Sequence, residues 1–305
     1  GDGEGDFGSC IFKKRNAQSY FAIQTFAAPI VQTQGTAQGF HFDNSNMKPI
    51  INNEGWKKAF ELYKATGKYG PPDELNMDIG DTRALFKAGR CGLIVEWGDP
   101  GTLQLDDDAK SIRGKMYAIS AVGSTEVLDR ATGKLVPVSA ATAPYAVDGI
   151  NYAPFAAFGG WAGAVNKGAD AKTKAAAYAF LSYMNQAAQS GVDVTIGATG
   201  YNPYRTSQLA STDLWVKAGM PKALADNYLG AINGAINNLN MASDMKIPGA
   251  QKYTSVVLDT ELARYLAGEI TVDEALANIE EGWEEVTEDF GRDEQVASQA
   301  LALGL

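Results

Sequence analysis

Residues 81–100 read Asp81-Thr82-Arg83-Ala84-Leu85-Phe86-Lys87-Ala88-Gly89-Arg90-Cys91-Gly92-Leu93-Ile94-Val95-Glu96-Trp97-Gly98-Asp99-Pro100. Asp81 can cap a short helix over 82–88 that Gly89 ends. The apolar run Cys91 to Val95 predicts a strand, and that strand empties into a turn carrying Glu96, Trp97 and Asp99. A helix, an apolar strand and then a Gly/Pro turn with an aromatic and two carboxylates is the arrangement by which open α/β sheets present ligand-binding loops.

Working outward, helices and strands alternate along the chain. Trp56, Ala59, Phe60 and Tyr63 fall at i, i+3, i+4, i+7, so 52–66 is a helix with an Asn cap before it and Gly67 after it. Tyr20 to Val31 is apolar and helix-compatible up to Pro29. Downstream, 115–122 reads as a strand, and 126–138 as a hairpin turning at Thr132-Gly133. After Phe158-Gly159-Gly160-Trp161 come a strand-like 162–165 and an Ala-rich helix from Asp170 to about Gln189. Helices are expected over about 221–232 and 253–267, and Thr271 with Glu274 forms a capping box for another to about Asp289. The class is α/β.

Composition narrows the function. The 305 residues carry 26 Lys and Arg against 36 Asp and Glu, a formal charge of −10, which argues against a nucleic-acid partner. One His, His41, and two Cys, Cys10 and Cys91, leave no Cys/His zinc site and only one residue for a His-based triad. No catalytic residue, metal ligand or cofactor is assigned. The acidic opening Asp2, Glu4, Asp6 fails as a calcium loop because Lys13 stands where the bidentate Glu belongs. No stretch has the length and apolarity of a membrane span. Cys10 and Cys91 are compatible with one disulfide or with two buried thiols; both lie in short apolar segments able to pair in one sheet.

Five segments in order, the helix 56–64, the 81–95 unit, Phe158-Gly-Gly-Trp161 with the helix ending Ala-Tyr-Ala-Phe-Leu-Ser-Tyr-Met184, Tyr201-Asn-Pro-Tyr-Arg205 and Gly268-Glu-Ile-Thr-Val-Asp-Glu-Ala-Leu276, together resemble the extracellular solute-binding proteins of the maltose-binding-protein-like family. The resemblance implies a two-lobe periplasmic-binding-protein-like fold (type II) whose lobes close over a ligand in the cleft. It also implies that the N-terminal part of lobe one, roughly a hundred residues, is missing from this chain. On that frame 1–158 is the second lobe with hinge strands, 159–208 is part of the first lobe, and 209–305 supplies C-terminal helices packing mainly on the second.

Sugar recognition pairs flat aromatic faces with planar hydrogen-bonding groups. Glu96, Trp97 and Asp99 share one loop, Trp161 follows a Gly-Gly turn, and Tyr201, Asn202, Tyr204 and Arg205 share a third segment. Tyr253 begins a helix where the family often places a stacking aromatic. Each aromatic has a core-packing alternative, and Arg205 reads either as a structural tie or as a clamp on an anion. The function implied is non-catalytic binding of a small solute, a sugar or oligosaccharide, for membrane permease subunits of an ABC importer, outside the cell or in the periplasm. A sensing ectodomain fused to a signalling protein, such as a receptor-type nucleotide cyclase, is the alternative. A glycosidase using Glu96 and Asp99 is a third reading, against which stands the lack of a strand-end carboxylate pattern.

Overall fold

The computed structural model describes residues 6–157, 160–197 and 199–305; Asp2, Glu4, Phe158 and Gly159 of the motifs above lie outside them. The chain enters on strand β1 (Phe7–Ser9) and helix α1 (Ser19–Val31). Helix α2 (Glu54–Thr66) starts where the side chain of Asn53 accepts hydrogen bonds from the backbone N–H groups of Gly55 and Trp56, and it buries Trp56, Ala59, Phe60 and Tyr63 as their spacing requires. Helix α3 (Ile79–Lys87) begins earlier than expected: Asp78 is the cap, and Asp81 is the reciprocal partner three residues in. Both residues satisfy orphan N–H groups, so the pair holds the first turn from either side. Strand β2 (Cys91–Leu93) follows and pairs in parallel with β1, Phe7 opposite Cys91 and Ser9 opposite Leu93.

Next come β3 (Gly123–Ser124), the hairpin β4 (Glu126–Asp129) and β5 (Lys134–Pro137), β6 (Asn151–Tyr152) and β7 (Phe155–Ala156). The hairpin is antiparallel and turns through Gly133, as its sequence indicates. Helices α4 (Ala171–Met184), α5 (Ala187–Asp193), α6 (Thr206–Leu209), α7 (Asp213–Lys217) and α8 (Lys222–Ile236) precede β8 (Ala242–Ser243). Asp170 caps α4 as expected, but the helix ends at Met184 rather than running to Gln189. A π-helical stretch over Lys252–Leu258 leads into α9 (Asp259–Ala267), then α10 (Val272–Phe290) and α11 (Arg292–Leu303). The Thr271–Glu274 capping box opens α10. Segments 115–122 and 162–165, expected as strands, join no ladder among the described residues.

Three apolar clusters result among the described residues. The largest gathers α1, α2, the aromatic segment Phe40–Phe42, and α9 and α10, with Trp56, Tyr63, Tyr253 and Trp283 fully buried. A second is built by Val194, Trp215, Met220, Leu224, Tyr228 and Leu229. Residues 209–305 therefore divide, α7 and α8 packing with Val194 and Tyr201 while α9 and α10 pack on the main core. A third, smaller cluster holds Cys10, Phe86, Cys91, Leu103, Ala109 and Ile112.

The chain leaves the main core through β6 and β7 and re-enters it through β8, which pairs in parallel with β7. Two fully buried amides lock this crossing: Asn151 donates to the carbonyls of Pro29 and Gln32, and Asn240 donates to the Gln32 carbonyl and to Asn151 Oδ1. Asn240 Oδ1 accepts from the Gly35 N–H, so the network closes on backbone groups that would otherwise be buried without partners.

Cys10 and Cys91 are bridged, with Cα atoms 5.8 Å apart, and the bond spans 81 residues beside the β1–β2 pairing. A cross-link over a loop of that length restricts the unfolded chain strongly. The double variant Cys10→Ser/Cys91→Ser is expected to lose about 2–5 kcal/mol of unfolding free energy in chemical denaturation. An unchanged midpoint would show that the β1–β2 region opens before the rest of the molecule unfolds.

Candidate functional site

Helix α3 delivers Arg83 to the turn that follows β2. The guanidinium forks onto Glu96, Nε to Oε2 at 3.0 Å and NH2 to Oε1 at 3.1 Å. It also reaches Asp99, NH2 to Oδ1 at 3.1 Å and NH1 to Oδ2 at 2.9 Å. Two carboxylates thus share one cation, leaving the cluster one negative charge in excess when all three are ionised. Burial pushes Glu96 up to about 7, with Arg83 and the Trp97 N–H pulling the other way. Burial also raises Asp99 against the pull of Arg83. The guanidinium is itself penalised by burial, yet its bonds to Glu96 and Asp99 hold its pKa above the usual value.

The backbone N–H of Trp97 donates to Glu96 Oε1 at 2.9 Å, which ties the carboxylate back onto the turn. The indole lies parallel to Phe12, 6.0 Å between centroids and 9° between planes, and meets Phe21 edge-on at 5.4 Å. Beside it a cavity of about 60 Å³ opens, walled by Phe12, Phe21, Trp97 and Phe155, with Glu96 and Thr25 as polar lining. A space of that size holds several water molecules or part of a small ligand. Sequence reading misses Phe12, Phe21, Phe155 and Arg83. Each comes from a different segment of the chain, and no spacing along the sequence links them.

On the far side of Trp97 the turn meets the 200–205 loop. A β-carbon placed on Gly98 would lie 2.9 Å from Asn202 Oδ1, and one on Gly101 would lie 2.2 Å from the Tyr228 ring. Only residues without a side chain fit there, so the Asp99–Leu105 3-10 helix lies hard against α8 and the 200–205 loop. The Tyr228 hydroxyl and Asn202 Oδ1 are buried at this contact with no protein hydrogen-bond partner.

The remaining candidates separate. Trp161 is 77% exposed, and its indole N–H donates to the Gly200 carbonyl at 3.3 Å, which ties it to the base of the same loop. Tyr201 packs against the second cluster, and Tyr204 is exposed with the Arg205 guanidinium 5.5 Å from its ring centre. Arg205 donates to Ser190 Oγ at 3.1 Å and to the Asn185 carbonyl, so in this structure it ties the loop to α5. Tyr253 presents no surface at all: its ring meets Phe42 and Trp283 in the main core, and its hydroxyl is engaged by Thr287 at 3.0 Å and Gln295 at 3.1 Å. Asp99 is buried and committed to Arg83. The structure therefore brings together the Trp97 turn and the 200–205 loop, and keeps Tyr253 apart from both.

No protein-family model matches this sequence, and no curated protein matches it. Solved structures do. An ABC transporter solute-binding protein from Agrobacterium vitis S4 with bound D-mannitol is 19% identical, covers 94% of this chain and 62% of its own, and superposes with a TM-score of 0.58. One from Agrobacterium radiobacter K84 in complex with ribitol is 18% identical, with coverages of 92% and 60% and a TM-score of 0.65. Maltose-bound MalE3 of T. maritima is 15% identical, with coverages of 92% and 61% and a TM-score of 0.63. The chain spans between 60% and 62% of the length of these three proteins. Over that span, its fold is the two-lobe fold of ABC transporter solute-binding proteins.

Proposed function

We propose that this chain binds a small polyhydroxylated solute, a sugar or polyol, without chemically converting it, as the receptor component of an ABC importer. The observation that carries the reading is the cavity beside Trp97, where three further aromatic walls and the buried Glu96 carboxylate converge. Aromatic faces suit the C–H side of a sugar or an extended polyol, and a carboxylate accepts from its hydroxyls. In this reading Trp97, Phe12, Phe21 and Glu96 form one wall. Trp161, Tyr201, Asn202 and Tyr204 form the facing edge, and Asp99 and Arg205 hold the loops in place. Ligand-driven closure would then shift the population towards the state in which both sets touch the solute.

Similarity in fold to structures carrying D-mannitol, ribitol and maltose supports a hydroxylated ligand. The shared grip of Arg83 on Glu96 and Asp99 supports binding over hydrolysis, because a glycosidase needs its two carboxylates on either side of an open scissile bond. The disulfide suits an oxidising compartment, so a periplasmic or extracellular location is part of the proposal. Among the described residues, no helix is long and apolar enough to cross a membrane.

Titration calorimetry with ribitol, D-mannitol and maltose tests the reading. At least one of the three is expected to bind, and Trp97→Ala is expected to weaken it about tenfold, the scale of what one stacked aromatic ring contributes. Binding unaffected by Trp97→Ala would place the ligand elsewhere, and no binding by any of the three would remove the hydroxylated-ligand assignment.

Glu96 provides a pH signature. Its folded pKa of about 7 lies above the ordinary 4.5, so the folded chain holds a proton that the unfolded chain has released. Its contribution to stability is complete at low pH and is lost as pH rises from about 4.5 through 7. Fully buried His41, pushed down to about 3, has the opposite sign: the folded chain binds fewer protons than the unfolded, so stability rises with pH between about 3 and 6.5. The two trends oppose each other in wild type. Subtracting the unfolding free energy of Glu96→Gln from that of wild type at each pH isolates the Glu96 part. That difference is expected to fall by up to about 1.4 kcal/mol per pH unit between about 4.5 and 7 in urea denaturation. A flat difference would mean that the Glu96 carboxylate titrates as it does in water.

A further inference from the structure

The cavity beside Trp97 is lined unevenly for a neutral solute. Four aromatic rings, Phe12, Phe21, Trp97 and Phe155, wall it, and its polar side chains are the Glu96 carboxylate and the Thr25 hydroxyl. That hydroxyl is turned onto its own helix, where it donates to the Phe21 carbonyl at 3.1 Å. Among the described residues, no Lys, Arg, Asn or Gln lines the space. The hydroxyl of a sugar or polyol donates and accepts at once, so a site for it ordinarily offers partners of both kinds. What dominates here is negative, ring faces and a carboxylate, and such a lining complements a charged group that only donates.

The charge balance points the same way. Arg83 is held by Glu96 at 3.0 Å and by Asp99 at 2.9 Å, so one cation answers two carboxylates, and Glu96 is the one that lines the cavity. Excess negative charge behind a wall of rings, in a partly desolvated space, is where a cation gains most from aromatic faces. Arg83 on α3 and Asp99 on the same turn are the charges facing Glu96. The groups behind the other walls add no compensating charge. Lys13, next to Phe12, is paired with Glu74. His41, with its ring centre 6.4 Å from that of Phe155, is held neutral by burial that pushes it down to about 3. Tyr228 on α8, near Asp99, is kept neutral by burial that raises its pKa.

We propose that this cavity takes the ammonium group of an amine-bearing polyol or amino sugar, the cation lying against the aromatic rings and donating to the Glu96 carboxylate. The inference rests on the reading of this site as one for a hydroxylated solute, and it adds a positive charge to that solute. Two cations then balance two carboxylates. Burial raises Glu96 to about 7, and an incoming cation favours its ionised form, so binding expels the proton that Glu96 holds in the empty site. The primary amine of an aminoalditol resembles that of Lys and keeps its charge to about pH 9. Affinity therefore rises with pH as Glu96 ionises, by about tenfold between about pH 6 and 8.

Calorimetry with D-mannitol and with 1-amino-1-deoxy-D-mannitol, in which one hydroxyl is replaced by an ammonium, tests the proposal. At pH 7 the amine is expected to bind at least tenfold more tightly. Comparison of heats in phosphate and Tris should show about half a proton released per amine bound and none for D-mannitol. In Glu96→Gln the two ligands should bind within about threefold of each other; should that variant fail to fold, proton release and the pH profile of wild type carry the test alone. D-mannitol binding as tightly as the amine, or amine binding without proton release, overturns the proposal and leaves the polyol reading standing. If neither ligand binds, tetramethylammonium chloride, which carries the charge without hydroxyls, decides. A saturable change in tryptophan fluorescence supports the cation site while the polyol reading fails, and no change overturns both.

Discussion

One guanidinium holding two buried carboxylates is the constraint on which the centre of the molecule depends. Arg83 lies near the middle of α3, and its two partners stand on either side of Trp97 and Gly98 in the turn after β2. Removing the cation would leave two nearly inaccessible carboxylates short of compensation, a far larger loss than that of a surface pair. Arg83 bonds both ends of the turn. The Glu96 carboxylate also accepts from the Trp97 N–H, and the Asp99 carbonyl accepts from Thr102 Oγ1 at 2.8 Å to start the 3-10 helix. The course of the backbone through Trp97 and into the 3-10 helix is therefore set at Glu96 and Asp99.

That arrangement is anchored from outside by covalent and ionic ties to the chain's opening residues. Cys91 at the start of β2 is bonded to Cys10, two residues before Phe12, the ring parallel to Trp97. Immediately beyond, Lys13 pairs with Glu74, both nearly inaccessible, and Glu74 also accepts from the Ile11 N–H at 2.8 Å. Burial lowers the Lys13 pKa, while Glu74 works to keep it charged. Phe12 is thus fixed between a disulfide and a buried ion pair, and the aromatic wall of the cavity is set before any ligand arrives. Preorganisation of this kind reduces the ordering cost of binding.

What the sequence makes legible follows from locality. The cap and stripe of α2, the Thr271–Glu274 box and the 126–138 hairpin are decided by residues within about a dozen positions of one another, and all are found where the pattern places them. The shift of the α3 cap from Asp81 to Asp78 shows the limit of that reading, since two acidic residues three apart can both bond the first turn. Segments 115–122 and 162–165 have strand character, but a ladder requires a partner that local pattern does not supply. Trp97 and Glu96 are visible as a loop pair, whereas Arg83, Phe12, Phe21 and Phe155 join them through tertiary packing alone. Tyr253 illustrates the converse. An aromatic with a polar tip can serve a site or a core, and the core is where Thr287 and Gln295 satisfy its hydroxyl.

The crossing between the main core and the residues around the second cluster adds a mechanical consequence. Both passages of the chain run side by side through β7 and β8, and the fully buried amides of Asn151 and Asn240 bind them to each other and to the end of α1. Buried amide networks are intolerant of partial breakage, because every broken bond leaves a desolvated donor or acceptor. Rotation of one side of the cleft against the other cannot be absorbed within this lock without that penalty. The aromatic wall around Trp97 lies on the locked side, and Trp161 with the 200–205 loop lies past it. Trp97 thus packs with the main core, while Gly98 and Gly101 carry the next turn hard against Asn202 and Tyr228 on the other side.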